Sequence, residues 1–303
     1  MRVLVTGGSG FIGRHLVRRL AARGDEPVVA DLLPFPDPAV PAVVGDLRDR
    51  AVVDAAFEGG VDAVVHLAAL TSVLRSVNEP HEVFTTNVDA TELLLEGCRA
   101  RGVARFVFAS TNAVAGDVGA RRIDEELPLH PLTPYGATKA AAEMLLSAYA
   151  ASYGLHSVAL RFTNVYGAGM QAKDSVVARL MRAALAGGGI EIYGDGEQLR
   201  DYLYVSDAVQ AIELGLRLET ATTVTVGAGE SVSMNELHRL ACEVTGVEIG
   251  KEHVPGRPGE MPAVVVDTKR ARALGFSPAY SLREGLAETW ADFVAEARGG
   301  AAR

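Results

Sequence analysis

The sequence predicts an α/β fold: a Rossmann-like, doubly wound parallel sheet with a smaller C-terminal α/β substrate lobe. Three observations carry this prediction. Short β-branched runs alternate with amphipathic stretches through the first half of the 303 residues. Those runs are near-continuously apolar, as strands buried on both faces must be. A glycine-rich turn stands directly between the first strand and the first helix. Hydrophobic residues make up 49% and charged residues 22%, which excludes a disordered chain.

The elements follow in order. Strands are expected at Arg2–Thr6, 27–30, Ala42–Val44, 63–67, 106–110 and 156–160. Helices are expected at Phe11–Ala22, 50–57, 81–101 and Pro134–Tyr153. Strands alternating with helices wind into right-handed crossovers and a parallel sheet. Prolines 34, 36, 38 and 41 make a stiff connection after the second strand. Beyond Leu160 the helices shorten and glycine clusters appear at 187–189, 194–196 and 227–229. Residues 1–165, rejoined by about 200–227, are therefore assigned to a dinucleotide-binding domain, and 166–199 with 228–303 to a substrate-binding lobe. Within this division the chain is expected to return to the sheet around 201–218 and 224–226.

Charge narrows the function. With 29 Lys and Arg against 38 Asp and Glu the net charge is −9, which argues against nucleic-acid binding through phosphates. No run approaches the ~18 apolar residues of a membrane span. Residues 1–6 read as a strand rather than a leader, and two cysteines, Cys98 and Cys242, suit a reducing compartment. A cytoplasmic protein is the expectation. The seven histidines show no metal-ligand spacing, so no metal site is expected.

In the turn at 7–13, Gly7 permits a tight bend, Gly10 lets backbone approach a pyrophosphate, and Gly13 lets the helix pack closely on the strand. Asp31, after the second strand, suits the adenosine ribose hydroxyls and repels a 2′-phosphate, favouring NAD over NADP. Asp46, after the third strand, can meet the adenine amino group or cap the helix that follows.

Tyr135 and Lys139 lie four apart in a helix that Thr133 and Pro134 start well, so they share one face. An ammonium near a phenol favours the phenolate and is expected to lower the Tyr135 pKa, making it a base for an alcohol proton. Thr111 ends the preceding strand, where ligands of such sheets gather, and would bond the substrate oxygen. Its neighbour Ser110 reads as a simple strand-end cap.

Together these residues resemble the extended short-chain dehydrogenase/reductases, specifically the NAD-dependent nucleotide-sugar epimerase/dehydratase group. The resemblance spans essentially the whole chain: TGGSGFIG at 6–13, GDL at 45–47, HLAA at 66–69, PYGATK at 134–139, LRFTNVYG at 160–167, RDY at 200–202 and GRPGE at 256–260. It implies a catalytic trio of Thr111, Tyr135 and Lys139. It implies NAD contacts from Gly7, Gly10, Phe11, Ile12, Gly13, Asp31, Asp46, Leu47, Leu67, Ala68 and Ala69, joined by Tyr135 and Lys139. A UDP-sugar would meet Thr111, Asn164, Val176, Tyr193, Arg200, Arg257 and Glu260, the two arginines clamping the diphosphate. Taken singly, Arg200-Asp201 also reads as a surface ion pair, Tyr193 as core and Asn164 as a turn cap. The segments 87–101 and 135–153 resemble the helices through which this family forms homodimers.

Within the family, dehydratases usually carry an Asp-Glu pair just after the active-site threonine. Here Asn112 and Ala113 stand there, and neither transfers protons. The preferred reading is a UDP-hexose 4-epimerase acting through a transient 4-keto sugar. Val264 matches a position where some relatives have a pocket-narrowing tyrosine, so N-acetylhexosamines are expected to fit. Two residues depart from the family pattern, Ala115 for a tyrosine and Ala69 for a glycine. The alternatives are a 4-ketoreductase or dehydratase and, outside catalysis, an NAD-sensing regulator. A sensor needs none of Thr111, Tyr135 and Lys139.

Overall fold

A computed structural model describes residues 1–119, 121–256 and 263–300. The first part of the chain runs β1 (Arg2–Thr6), α1 (Phe11–Ala22), β2 (Glu26–Asp31), β3 (Ala42–Val44), α2 (Arg50–Ala56), β4 (Ala63–His66), α3 (Val73–Asn78), α4 (Pro80–Phe84), α5 (Ala90–Arg101), β5 (Arg105–Thr111), α6 (Pro134–Tyr153) and β6 (His156–Phe162). It continues through β7 (Asn164–Tyr166), α7 (Val176–Ala186), β8 (Gly189–Tyr193), β9 (Leu199–Tyr204), α8 (Val205–Arg217), β10 (Thr222–Val226), β11 (Ser231–Ser233), α9 (Met234–Thr245), β12 (Gly250–Val254), α10 (Lys269–Ala273) and α11 (Leu282–Gly300).

Seven strands form one sheet in the order β10-β6-β5-β4-β1-β2-β3, every pair parallel. The predicted doubly wound sheet is thus present. Val3 and Val5 pack on one face against Leu16 and Leu20 of α1 and Ile212 of α8. Leu4 and Val64 pack on the other against Val53, Leu94 and Leu146 of α2, α5 and α6. Both faces are covered, which is why the strands carry apolar runs rather than an alternating pattern.

Helix α6 is specified locally. The Thr133 side chain accepts from the Gly136 amide, Pro134 sits in the first turn, and Gly154 closes the helix in the left-handed conformation. Strands β5 and β6 run further than expected, to Thr111 and Phe162, and pair in register with Ser110 opposite Arg161. Helix 81–101 is interrupted: a π-helical turn at Thr85–Asp89 separates α4 from α5. Its cause is visible in Asn87, whose amide leaves the helix to bond both the N–H and the C=O of Leu70.

The return to the sheet takes a different form from that expected around 201–218. Strand β9 pairs with β7 and β11 in a separate three-stranded sheet, so only α8 and β10 rejoin the large one. Asp201 explains this departure. Fully buried, it accepts from Thr163 and from the amides of Ala228 and Gly229, pinning β9 beneath the loop after β10. The third core lies among α7, α9 and α11 and includes Tyr166, Leu180, Leu237 and Phe293.

Candidate active site

A cavity of about 900 Å³ opens beyond the carboxyl ends of β1, β4 and β5 and extends to the small sheet. One end is the glycine turn. Gly7 has φ +68°, and a Cβ there would stand 2.7 Å from the Ala68 amide nitrogen; at Gly13 it would stand 2.2 Å from the Gly7 carbonyl oxygen. Only hydrogens fit at either position. Asp31 is oriented by the turn itself, accepting from the Ser9 amide at 3.0 Å and the Leu33 amide at 3.1 Å. Asp46 also lines the cavity, but Arg48 bonds its carboxylate and holds it below the usual carboxylate range. Asp46 caps no helix; Asp49 caps α2 instead. Phe11, Ile12, Leu47, Leu67, Ala68 and Ala69 complete this wall.

Thr111, Tyr135 and Lys139 meet at the middle of the cavity. The Thr111 hydroxyl accepts from the Ala113 amide at 3.2 Å and lies near the Tyr135 phenol, where it favours the phenolate. The Lys139 ammonium donates to the Ala109 carbonyl at 2.8 Å and lies 4.5 Å from the centre of the Phe108 ring. Burial brings the Lys139 pKa down to about 7, opposed by the Glu143 carboxylate. The phenol departs from expectation. Burial pushes Tyr135 up to about 12 and outweighs the lowering by the nearby Thr111 hydroxyl. The ammonium, turned toward a backbone carbonyl, does not reverse this without a ligand.

Behind the trio runs a chain of buried polar contacts. The Thr6 hydroxyl is 2.6 Å from His66 Nδ1, and His66 Nε2 is 3.0 Å from the Thr91 hydroxyl. Burial and then the Lys139 charge depress the His66 pKa to about 3, so the ring is neutral. Asn87 donates to Thr138 at 3.0 Å, and Thr138 donates to the Tyr135 carbonyl. The loop at 67–71 and α6 are therefore fastened together.

The far end of the cavity carries Asn164, Arg200 and Val264. The Asn164 amide bonds the Asp201 carbonyl across β7 and β9 rather than capping a turn. Arg200 is no surface partner of Asp201, which is buried; one of its nitrogens bonds the Leu199 carbonyl. Val176 and Tyr193 do not line the cavity: Val176 packs toward the third core, and Tyr193 lies on β8 with its hydroxyl on Glu191. Arg257 and Glu260 lie outside the described residues. In place of Val176, the cavity receives Lys173, Asp174, Ser175 and Arg179. Arg179 went unnoticed in sequence because nothing in its own segment marks it; the fold turns the first turn of α7 toward the cavity.

The sequence model of the NAD dependent epimerase/dehydratase family matches residues 3–227. The chain belongs to this family. It is accordingly an NAD-dependent enzyme, and the glycine cradle and Asp31 fit that cofactor. Among similar proteins is the dTDP-glucose 4,6-dehydratase of Streptomyces griseus, 37% identical over 95% of this chain and 92% of the relative. The Thermus thermophilus UDP-glucose 4-epimerase in complex with NAD is 38% identical and superimposes with a TM-score of 0.92, covering 97% of this chain and 99% of that one. The UDP-N-acetylglucosamine 4-epimerase of Methanobrevibacter ruminantium gives 0.92 at 31% identity, over 97% and 98% of the two chains. Among the described residues no helix is long and apolar enough to cross a membrane, and no group of acidic, His or Cys side chains could hold a metal.

Proposed function

We propose that this enzyme interconverts UDP-hexoses epimeric at carbon 4, with the N-acetylhexosamines among its substrates. The observation that carries the reading is one cavity holding the Thr111–Tyr135–Lys139 cluster between the glycine cradle and Arg200, with Asn112 and Ala113 beside the threonine. Elimination of water needs an acid and a base there, and neither side chain supplies one.

Gly7, Gly10 and Gly13 would hold the pyrophosphate of NAD, Asp31 its adenosine ribose and Lys139 its nicotinamide ribose. Bound NAD would supply the acceptor and donor of hydride at carbon 4. Thr111 orients the sugar hydroxyl, and Tyr135 removes its proton as the carbonyl forms. The charged Lys139 offsets the phenolate and so brings the phenol down. Tyr135 returns the proton after the keto sugar presents its other face. Arg200 retains the nucleotide diphosphate meanwhile, with Asn164 beside it; Arg257 and Glu260 are proposed to close this end. Val264, buried and small, leaves room at the sugar for an N-acetyl group.

A homodimer through 87–101 and 135–153 belongs to the same reading, with Met144 and Tyr153 exposed on α6. NMR product analysis after mixing purified protein with UDP-glucose and with UDP-N-acetylglucosamine, without added cofactor, tests the proposal. The corresponding galacto sugars should appear. Absence of conversion by protein shown to carry NAD would reject it.

A further inference from the structure

Three buried side chains beneath the reacting groups take no part in the steps above. Ser110 adjoins Thr111 on β5, Arg161 stands opposite it on β6, and Glu143 follows Lys139 on α6. The Ser110 hydroxyl donates to Glu143 Oε1. Arg161 donates to the same carboxylate through Nε at 3.0 Å and Nη2 at 2.8 Å, and its Nη1 reaches the Asp124 carbonyl at 3.3 Å. Ser110, Glu143 and Arg161 are 4, 7 and 4% exposed. One carboxylate thus ties the strand bearing Thr111, its neighbour β6 and the helix bearing Tyr135 and Lys139.

We propose that Glu143 is a positioning residue, clamping α6 to β5 so that the Thr111 hydroxyl, the Tyr135 phenol and the Lys139 ammonium stay in reacting register. The proposal rests on the reading of that trio as catalytic. Stability alone does not account for the clamp, because a buried ion pair is commonly neutral or unfavourable beside apolar packing of equal volume. Placement does, since catalysis is sensitive to displacements near 1 Å. The clamp also sets charge. Around the Lys139 nitrogen stand Glu143 from α6, the Ala109 carbonyl and Phe108 ring from β5, and neutral His66 from β4, with Arg161 of β6 behind Glu143. Of these, Glu143 favours the charged amine.

The test compares NAD-loaded wild type, Ser110→Ala, the double variant Glu143→Gln/Arg161→Gln and Tyr135→Phe. It measures kcat and KM on UDP-glucose and follows Lys139 by carbon NMR of protein labelled at the lysine ε-carbon. Ser110→Ala keeps the charges and should lower kcat about tenfold with KM nearly unchanged and the Lys139 titration unmoved. The double variant should lower kcat further and move the Lys139 titration to lower pH; should it fail to fold, Ser110→Ala decides. Wild-type kcat in Ser110→Ala, or an unmoved Lys139 titration in the folded double variant, overturns the proposal. An active Tyr135→Phe protein would instead remove the reading of the trio, while the lysine titration still tests the clamp.

Discussion

Replacing Gly13 by alanine adds one methyl group at the tightest point of the cofactor cradle. Its Cβ would sit 2.2 Å from the Gly7 carbonyl oxygen, 2.6 Å from Gly8 Cα and 2.8 Å from the Gly8 carbonyl carbon. Contacts under 3.0 Å essentially do not occur, so α1 and the turn must part by close to 1 Å. All three neighbours are backbone, and none can rotate away. Alanine would ordinarily favour the helix by about 0.5–1 kcal/mol. Overpacking of this kind costs about 1–3 kcal/mol, so the clash wins. The displaced atoms are the ones that approach the pyrophosphate, and the loss falls on cofactor affinity: about five- to 150-fold at 1.4 kcal/mol per decade. Calorimetric titration of stripped protein with NAD reads this directly. In thermal unfolding without NAD, Gly10→Ala, whose Cβ would stand 3.1 Å from the Gly7 oxygen, should lose less stability than Gly13→Ala. Wild-type NAD affinity in Gly13→Ala, or equal losses of stability in the two variants, would refute the steric argument.

Val264→Tyr should depress turnover of UDP-N-acetylglucosamine while sparing UDP-glucose; comparable rates on the N-acetylated sugar in wild type and variant would sink the pocket-size argument. Arg200→Met should raise KM for either sugar about ten- to hundredfold with little change in kcat, because a diphosphate contact is made alike in ground and transition states; steady-state kinetics decide it. Lys139 titrates near 7 in the folded protein against 10.5 when unperturbed. The unfolded chain therefore binds the extra proton between those values, and this residue makes stability rise with pH across that window. Lys139→Met should abolish activity yet raise the melting temperature most at pH 6, the advantage shrinking toward pH 10; thermal unfolding over that range checks it. Asp31→Ala should weaken NAD about five- to 150-fold, from lost hydrogen bonds of about 1–3 kcal/mol, as fluorescence titration would show.

What the sequence discloses is what local rules determine. The turn at 7–13 needs glycine for reasons internal to one strand–turn–helix unit, and α6 announces both ends through Thr133, Pro134 and Gly154. Tyr135 and Lys139 come together because helical spacing puts them on one face. Contacts between distant segments were not legible. Ser110 reads as a strand-end cap until β5, β6 and α6 assemble and Glu143 arrives from a helix turn further along. Strand β9 has the apolar content of a sheet strand, and only the buried demands of Asp201 show which sheet it joins. The phenol pKa shifts opposite to the expected direction because the helical spacing of Tyr135 and Lys139 says nothing of how deeply each is buried or where the ammonium points. Arg179 reaches the cavity from the first turn of α7, a placement set by how the fold seats that helix.

The polar groups under the site share a pattern: each crosses from one element to another, and each is satisfied. Thr6 joins β1 to His66 on β4, His66 reaches Thr91 on α5, and Asn87 joins the loop after β4 to Thr138 on α6. Burying these groups costs more than burying leucine and valine in their place, so the arrangement does not serve stability. Apolar side chains pack without direction and would let α6 slide along the sheet by fractions of an ångström. Hydrogen bonds at fixed lengths do not. Under the proposed epimerisation, a keto sugar that turns over inside the site needs walls that stay in place while it moves. The buried amine at Lys139 and the neutral ring at His66 are the stability forgone for that rigidity.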